Sequence, residues 1–164
     1  MQGRKVGIVM GSASDMPIAE KAFAVLDKFG IERTGHVISA HRTPERAAEF
    51  ARGAEAAGYG VIIAIAGKAA HLAGVLAAGT TLPVIGVPVK GSDLGGMDAL
   101  LSTVQMPSGV PVACVAIDGG ANAAYLAARM LALTDGDIAV KLKKHAEEMA
   151  EAVIKADAEL FGEE

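Results

Sequence analysis

The chain has 164 residues, 52% of them hydrophobic and 21% charged, with 33 alanines, 20 glycines, no tryptophan and a formal net charge of −4. That length suits one domain spanning 1–164, while the lack of any apolar run near the ~18 residues of a membrane span argues against a membrane protein. Dispersed Lys and Arg argue against a nucleic-acid partner, and a single cysteine, Cys114, excludes a disulfide framework or a cysteine-based zinc site.

Short apolar runs alternate with longer amphipathic segments, the pattern of βαβ units. Lys5–Met10 reads as a strand, Met16–Phe29 as a helix, Glu32–Ser39 as a strand and Pro44–Ala57 as a helix. Val61–Ala66 and Pro83–Val87 are uninterrupted apolar strands separated by a short helix, Leu72–Ala78. Met97–Thr103 reads as a helix, Val110–Ala116 as a fifth strand, and Ala121–Leu133 and Asp137–Phe161 as closing helices. Strands without polar alternation predict a parallel sheet covered on both faces. An α/β core is therefore expected over 1–133, with a C-terminal helix over 134–164. Ile138, Leu142, Met149, Val153 and Leu160 form a stripe on that helix. The stripe and the mean hydropathy of +0.39 point to subunit contacts. The N-terminus shows no signal-peptide layout, so a cytoplasmic protein is expected. Cys114, inside PVACVAI, is expected to be a buried, inert thiol.

Ligands of open parallel sheets bind beyond the carboxyl ends of the strands, and the polar clusters of this chain follow its strands. After the first come Gly11, Ser12, Ser14 and Asp15, ahead of Pro17. This loop suits an anion at a helix N-terminus, or a plain N-cap. After the second come Ser39, His41, Arg42 and Pro44. Arg42 can fork onto phosphate oxygens, and His41 can carry a proton near neutral pH. Gly67, Lys68, Ala69, Ala70, His71 and Leu72 follow the third strand; the small residues among them let a flat ligand lie close to backbone amides, and His71 is a second histidine. The glycine-rich stretch Val87–Asp98 reads equally as a lid or as a connector. His36 and His145 read as structural or solvated. No HExxH, Walker lysine loop or GxSxG elbow is present. The residues themselves indicate a phosphate-bearing small ligand handled by histidine acid/base chemistry without a metal.

The segments GSASD, SAHRTP, AAHL, LPVIGVPV, LLSTVQMPSGVPV and GANAAYLAARML occur in this order over most of the chain. Together they resemble the catalytic subunit of phosphoribosylaminoimidazole carboxylase, the PurE family, in its N5-carboxyaminoimidazole ribonucleotide mutase branch. The resemblance implies a flavodoxin-like three-layer α/β/α fold and a homo-octamer. It also implies conversion of N5-carboxyaminoimidazole ribonucleotide into its 4-carboxy isomer in de novo purine biosynthesis, with no metal or organic cofactor. It sets His41 at the catalytic position and Ser12, Asp15 and Arg42 at substrate-binding positions. On chemical grounds Arg42, Ser12 and Ser39 then hold phosphate within the loop of Gly11 and Ser14, and Asp15 takes ribose hydroxyls. Gly67, Ala69, Ala70, His71 and Leu72 wall the site for the base and CO₂. The implied partners are a ribonucleotide monophosphate and CO₂. Lys68 departs from the glycine of the common mutase wording AGAGGAAHL, and a basic residue near this place is a mark of the carboxylase branch. Arg42 and His71 favour the mutase. Direct carboxylation of aminoimidazole ribonucleotide is the alternative, and a non-catalytic nucleotide-binding protein is the alternative of a different class.

Overall fold

A computed structural model of the chain describes residues 5–91 and 93–162. Continuous apolar runs form β1 (Lys5–Met10), β3 (Tyr59–Gly67) and β4 (Val84–Val89). β2 (Arg33–Val37) and β5 (Ala113–Cys114) flank them, giving a parallel sheet of order β2-β1-β3-β4-β5. This is the flavodoxin-like order, with its switch point between β1 and β3.

Helices cover both faces. α1 (Met16–Phe29) opens with Pro17 in its first turn and ends on Gly30 at φ 69°, a left-handed C-cap that glycine adopts without strain. α1 and α5 (Gly120–Ala132) pack together over Val6, Ile8, Ile63, Ile65 and Ile85. α2 (Pro44–Gly53) and α3 (Leu72–Ala78) cover Val9, Ile62, Ala64 and Val84 on the opposite face. The abundant alanine is used here: Ala19 and Ala22 of α1 and Ala123, Ala124, Ala127 and Ala128 of α5 are all fully buried. Gly120 lies against the Ile18 carbonyl oxygen, where a Cβ has no room. α4 (Met97–Val104) covers the β4 side.

The strand and helix order follows the sequence reading, and the boundaries shift for local reasons. The fifth strand condenses from the expected 110–116 to two residues. Pro111 lacks an N–H, and on an edge only one neighbour offers pairing. Val115 still donates to Gly86 O at 3.1 Å. α2 stops at Gly53 rather than at Ala57, and the chain turns through Gly58 at φ 86°.

α6 (Gly136–Phe161) is capped by Asp135, whose carboxylate accepts the N–H groups of Asp137 and Ile138 at 3.1 and 3.2 Å. Its first turns dock on the core through Ile138 and Leu142. Lys141 Nζ donates to Phe29 O at 2.7 Å, and His145 stacks on Tyr125 with centroids 4.9 Å apart. Further along, Val153, Ile154, Leu160 and Phe161 are 69–83% exposed. No helix among the described residues is long and apolar enough to cross a membrane.

Candidate active site

A cleft of about 450 Å³ lies across the carboxyl ends of β1 to β4. It is lined by Gly11, Ser12, Ser14 and Asp15 from the first loop, Ser39, His41 and Arg42 from the second, and Gly67, Ala69 and Leu72 from the third. The sheet order brings these segments together: Ser39 and Gly11 follow the neighbouring strands β2 and β1, and Lys68 follows β3 on the other side of β1.

Each loop is held by its own side chains. Ser12 and Asp15 form a capping box around the single 3-10 turn Ala13–Asp15. Ser12 Oγ accepts from Ser14 N at 3.3 Å and from Ser14 Oγ at 2.9 Å, while Asp15 Oδ2 accepts from Ser12 N at 3.0 Å. The cap is therefore Ser12, with neither Ser14 nor Asp15 capping α1. Asp15 is 6% exposed. Burial pushes its carboxyl above the usual range, and the Ser12 N–H opposes that rise. In the second loop, Thr43 Oγ1 accepts from Ser39 N at 3.0 Å and donates to Ser39 O at 2.9 Å. This staple curls the backbone so that Arg42 N and Nε reach Ser39 Oγ at 3.2 and 3.3 Å. Arg42 Nη2 also donates to Gly11 O at 3.0 Å, tying the two loops into one wall. A guanidinium has further N–H donors, so the anchored fork can still bind an anion.

His41 lies at the exposed rim, with its Nε2 2.9 Å from His71 Nδ1 and the rings nearly perpendicular. One imidazole donates and the other accepts, so the pair carries a defined proton between its rings. His71 thus supports His41 and is not itself among the residues lining the cleft. Ala70, 2% exposed, is packed behind the wall and does not line it either.

The structure adds Ala40, Ala66, Lys68, Val89, Lys90 and Gly91 to the lining. Lys90 and Gly91 were concealed in the glycine-rich stretch after β4. The rule that ligands lie past strand ends was the signal that could have found them. Lys90 N donates to Asp118 Oδ1 at 2.8 Å. The remaining histidines are structural. His36 Nε2 lies 3.0 Å from Thr34 Oγ1 and 3.1 Å from Tyr59 Oη. His145, on α6, stacks on Tyr125 of α5. Cys114 is half-buried rather than buried, and desolvation pushes its thiol up, away from the reactive thiolate.

The family described as AIR carboxylase matches residues 5–152. The N5-carboxyaminoimidazole ribonucleotide mutase of Pyrococcus abyssi is 58% identical over 145 residues, covering 88% of this chain and 83% of that protein. The Thermotoga maritima protein of the same name is 52% identical over 151 residues, 92% of this chain and 88% of its own. Among solved structures, Treponema denticola PurE superposes with a TM-score of 0.89 at 36% identity, covering 96% of this chain and 99% of that one.

Proposed function

The chain belongs to the AIR carboxylase family, and from that membership we propose that it is an N5-carboxyaminoimidazole ribonucleotide mutase of purine biosynthesis. Relatives of that name at 50–58% identity support the mutase over direct carboxylation. The observation that carries the reading at the site is the juxtaposition, on one cleft, of an anchored Arg42 with a His41 that is backed by His71. An anion holder and a proton carrier thereby face the same ligand.

Arg42, Ser12 and Ser39 hold the phosphate, and Asp15 accepts from ribose hydroxyls. The imidazole base lies against Gly67, Ala69 and Leu72: the first two are small enough to leave room for a flat ring, and Leu72 offers it an apolar surface. Protonated His41 gives its proton to the carbamate nitrogen as the C–N bond breaks, leaving CO₂, aminoimidazole ribonucleotide and neutral His41. Carbon 4 of the ring then attacks CO₂, forming the C–C bond, and His41 removes the proton displaced from that carbon. Protons and atoms balance over the cycle, and one residue serves as acid and then as base. Keeping CO₂ beside the ring makes its recapture effectively unimolecular.

The enzyme works in the cytoplasm and as a homo-octamer. The exposed apolar half of α6 supports assembly, and the octamer is what the resemblance to the PurE family implies.

Purified protein given N5-carboxyaminoimidazole ribonucleotide should form the 4-carboxy isomer without added bicarbonate. Rapid turnover only from aminoimidazole ribonucleotide plus bicarbonate would establish the carboxylase in its place. His41→Asn should lower kcat by about 10²–10⁴ while substrate still binds; an unchanged rate refutes the proton shuttle.

A further inference from the structure

Gly67 and Val89 are paired residues at the ends of the neighbouring strands β3 and β4. The next residue on each strand is a lysine. Lys68 and Lys90 therefore leave adjacent strand ends, about 5 Å apart, at the same level, and both line the cleft. Their backbones are fixed by separate devices. Lys68 sits at φ 54°, and its carbonyl accepts from Ala70 N at 2.8 Å. Lys90 is held by its N–H to Asp118 Oδ1 at 2.8 Å. Asp118 in turn sits at φ 58° and donates its own N–H to Pro88 O at 2.9 Å.

Two ammonium groups projecting from one sheet edge repel each other unless an anion lies between them. Asp93 meets part of that need: its Oδ2 is 4.0 Å from Lys68 Nζ, with side chains 78% and 75% exposed. A pair so long and so exposed is weak and readily exchanged for a better anion. Lys90 makes no ion pair among the described residues.

The phosphate holders Arg42, Ser12 and Ser39 all lie at the β1 and β2 ends, on the other side of the switch point. A substrate carrying a phosphate and a carboxylate has two anionic ends, and that wall accounts for one. We propose that Lys68 and Lys90 form a second anion subsite that takes the substrate's carboxylate, so that the cleft selects carboxylated nucleotides over the decarboxylated one. The inference rests on the mutase reading. The carboxylate moves only from the exocyclic nitrogen to the neighbouring ring carbon, and two flexible four-carbon stems can follow it.

The test is calorimetric titration of the 4-carboxy nucleotide and of aminoimidazole ribonucleotide into wild type, Lys68→Gly, Lys90→Met, the double variant and Lys90→Arg. The double variant should lose about 10- to 100-fold in affinity for the carboxylated nucleotide, the range of one or two charge-assisted contacts. Its affinity for aminoimidazole ribonucleotide should change by less than about 3-fold, and Lys90→Arg should behave as wild type. An equal loss for both nucleotides assigns the lysines to the phosphate or to the general field and overturns the subsite. No loss for either overturns it as well. Failure of the wild type to bind or turn over any carboxylated nucleotide overturns the mutase reading, and the subsite with it.

Discussion

At Lys68 a φ of 54° places an L side chain in the left-handed region. That conformation costs about 1–2 kcal/mol, and glycine avoids it while losing about 0.5–1 kcal/mol of backbone freedom. Lys68→Gly should therefore stabilise the fold by about 0.5–1 kcal/mol, read as a higher denaturation midpoint at fixed protein concentration, in the same variant that binds carboxylated nucleotide less well. Strain retained beside a ligand is a mark of function. His36 gives a second residue-scale prediction. Desolvation, and then the Arg46 and Lys5 charges, hold its imidazole below the ordinary value of 6.5. The folded state then binds fewer protons than the unfolded chain just below pH 6.5, so this contribution is full above 6.5 and declines as pH falls. Stability followed from pH 7.5 to 5 should drop, and His36→Asn should flatten the slope. His41 and Arg42 were legible in the sequence because motif, proline and loop position all lie within six residues. Lys90 was passed over because the glycine-rich stretch around it reads equally as a lid or as a connector, and the Asp118 that fixes its backbone lies 28 residues away.

Among the elements, contact between α1 and α5 depends on small residues. Gly120→Ala drives a Cβ into the Ile18 carbonyl oxygen, and the helices must separate or tilt to admit it. The expected loss is about 1–3 kcal/mol, seen in the urea midpoint, with the cleft residues untouched. Strand and helix order was legible throughout, because the switch between short apolar runs and amphipathic segments depends on burial alone. The exact end of a strand depends on its neighbour as well. β5 is short because its proline-marked approach meets an edge with a single partner, a condition set by sheet order rather than by local pattern.

On the scale of the whole molecule, the last turns of α6 contribute almost nothing to the core of their own chain. Val153, Ile154, Leu160 and Phe161 are exposed, and no residue of the helix is buried. Truncation after Met149 should leave the cleft and the monomer fold intact while lowering the assembly state, which light scattering after size exclusion would report. A truncated chain of unchanged mass per particle, apart from the residues removed, would show that assembly lies elsewhere. The stripe was visible in the sequence, but its partner surface was not, since one chain carries no register for another. Net charge is likewise a poor guide at this scale. The molecule carries −4, yet Arg42, Lys68 and Lys90 gather on one edge of the sheet, and local fields at a cleft guide an anion more than the total does.

The exposure of His41 bears on isotope traffic. Its side chain sits at the open rim of the cleft, so in the proposed shuttle the hydrogen lifted from ring carbon 4 rests on an imidazole with solvent at hand. A closed site would hand that hydrogen to the carbamate nitrogen of the next substrate molecule. At an open rim the ring N–H exchanges with water between turnovers, so a deuteron placed on carbon 4 should leave with the solvent instead of travelling from one nucleotide to the next.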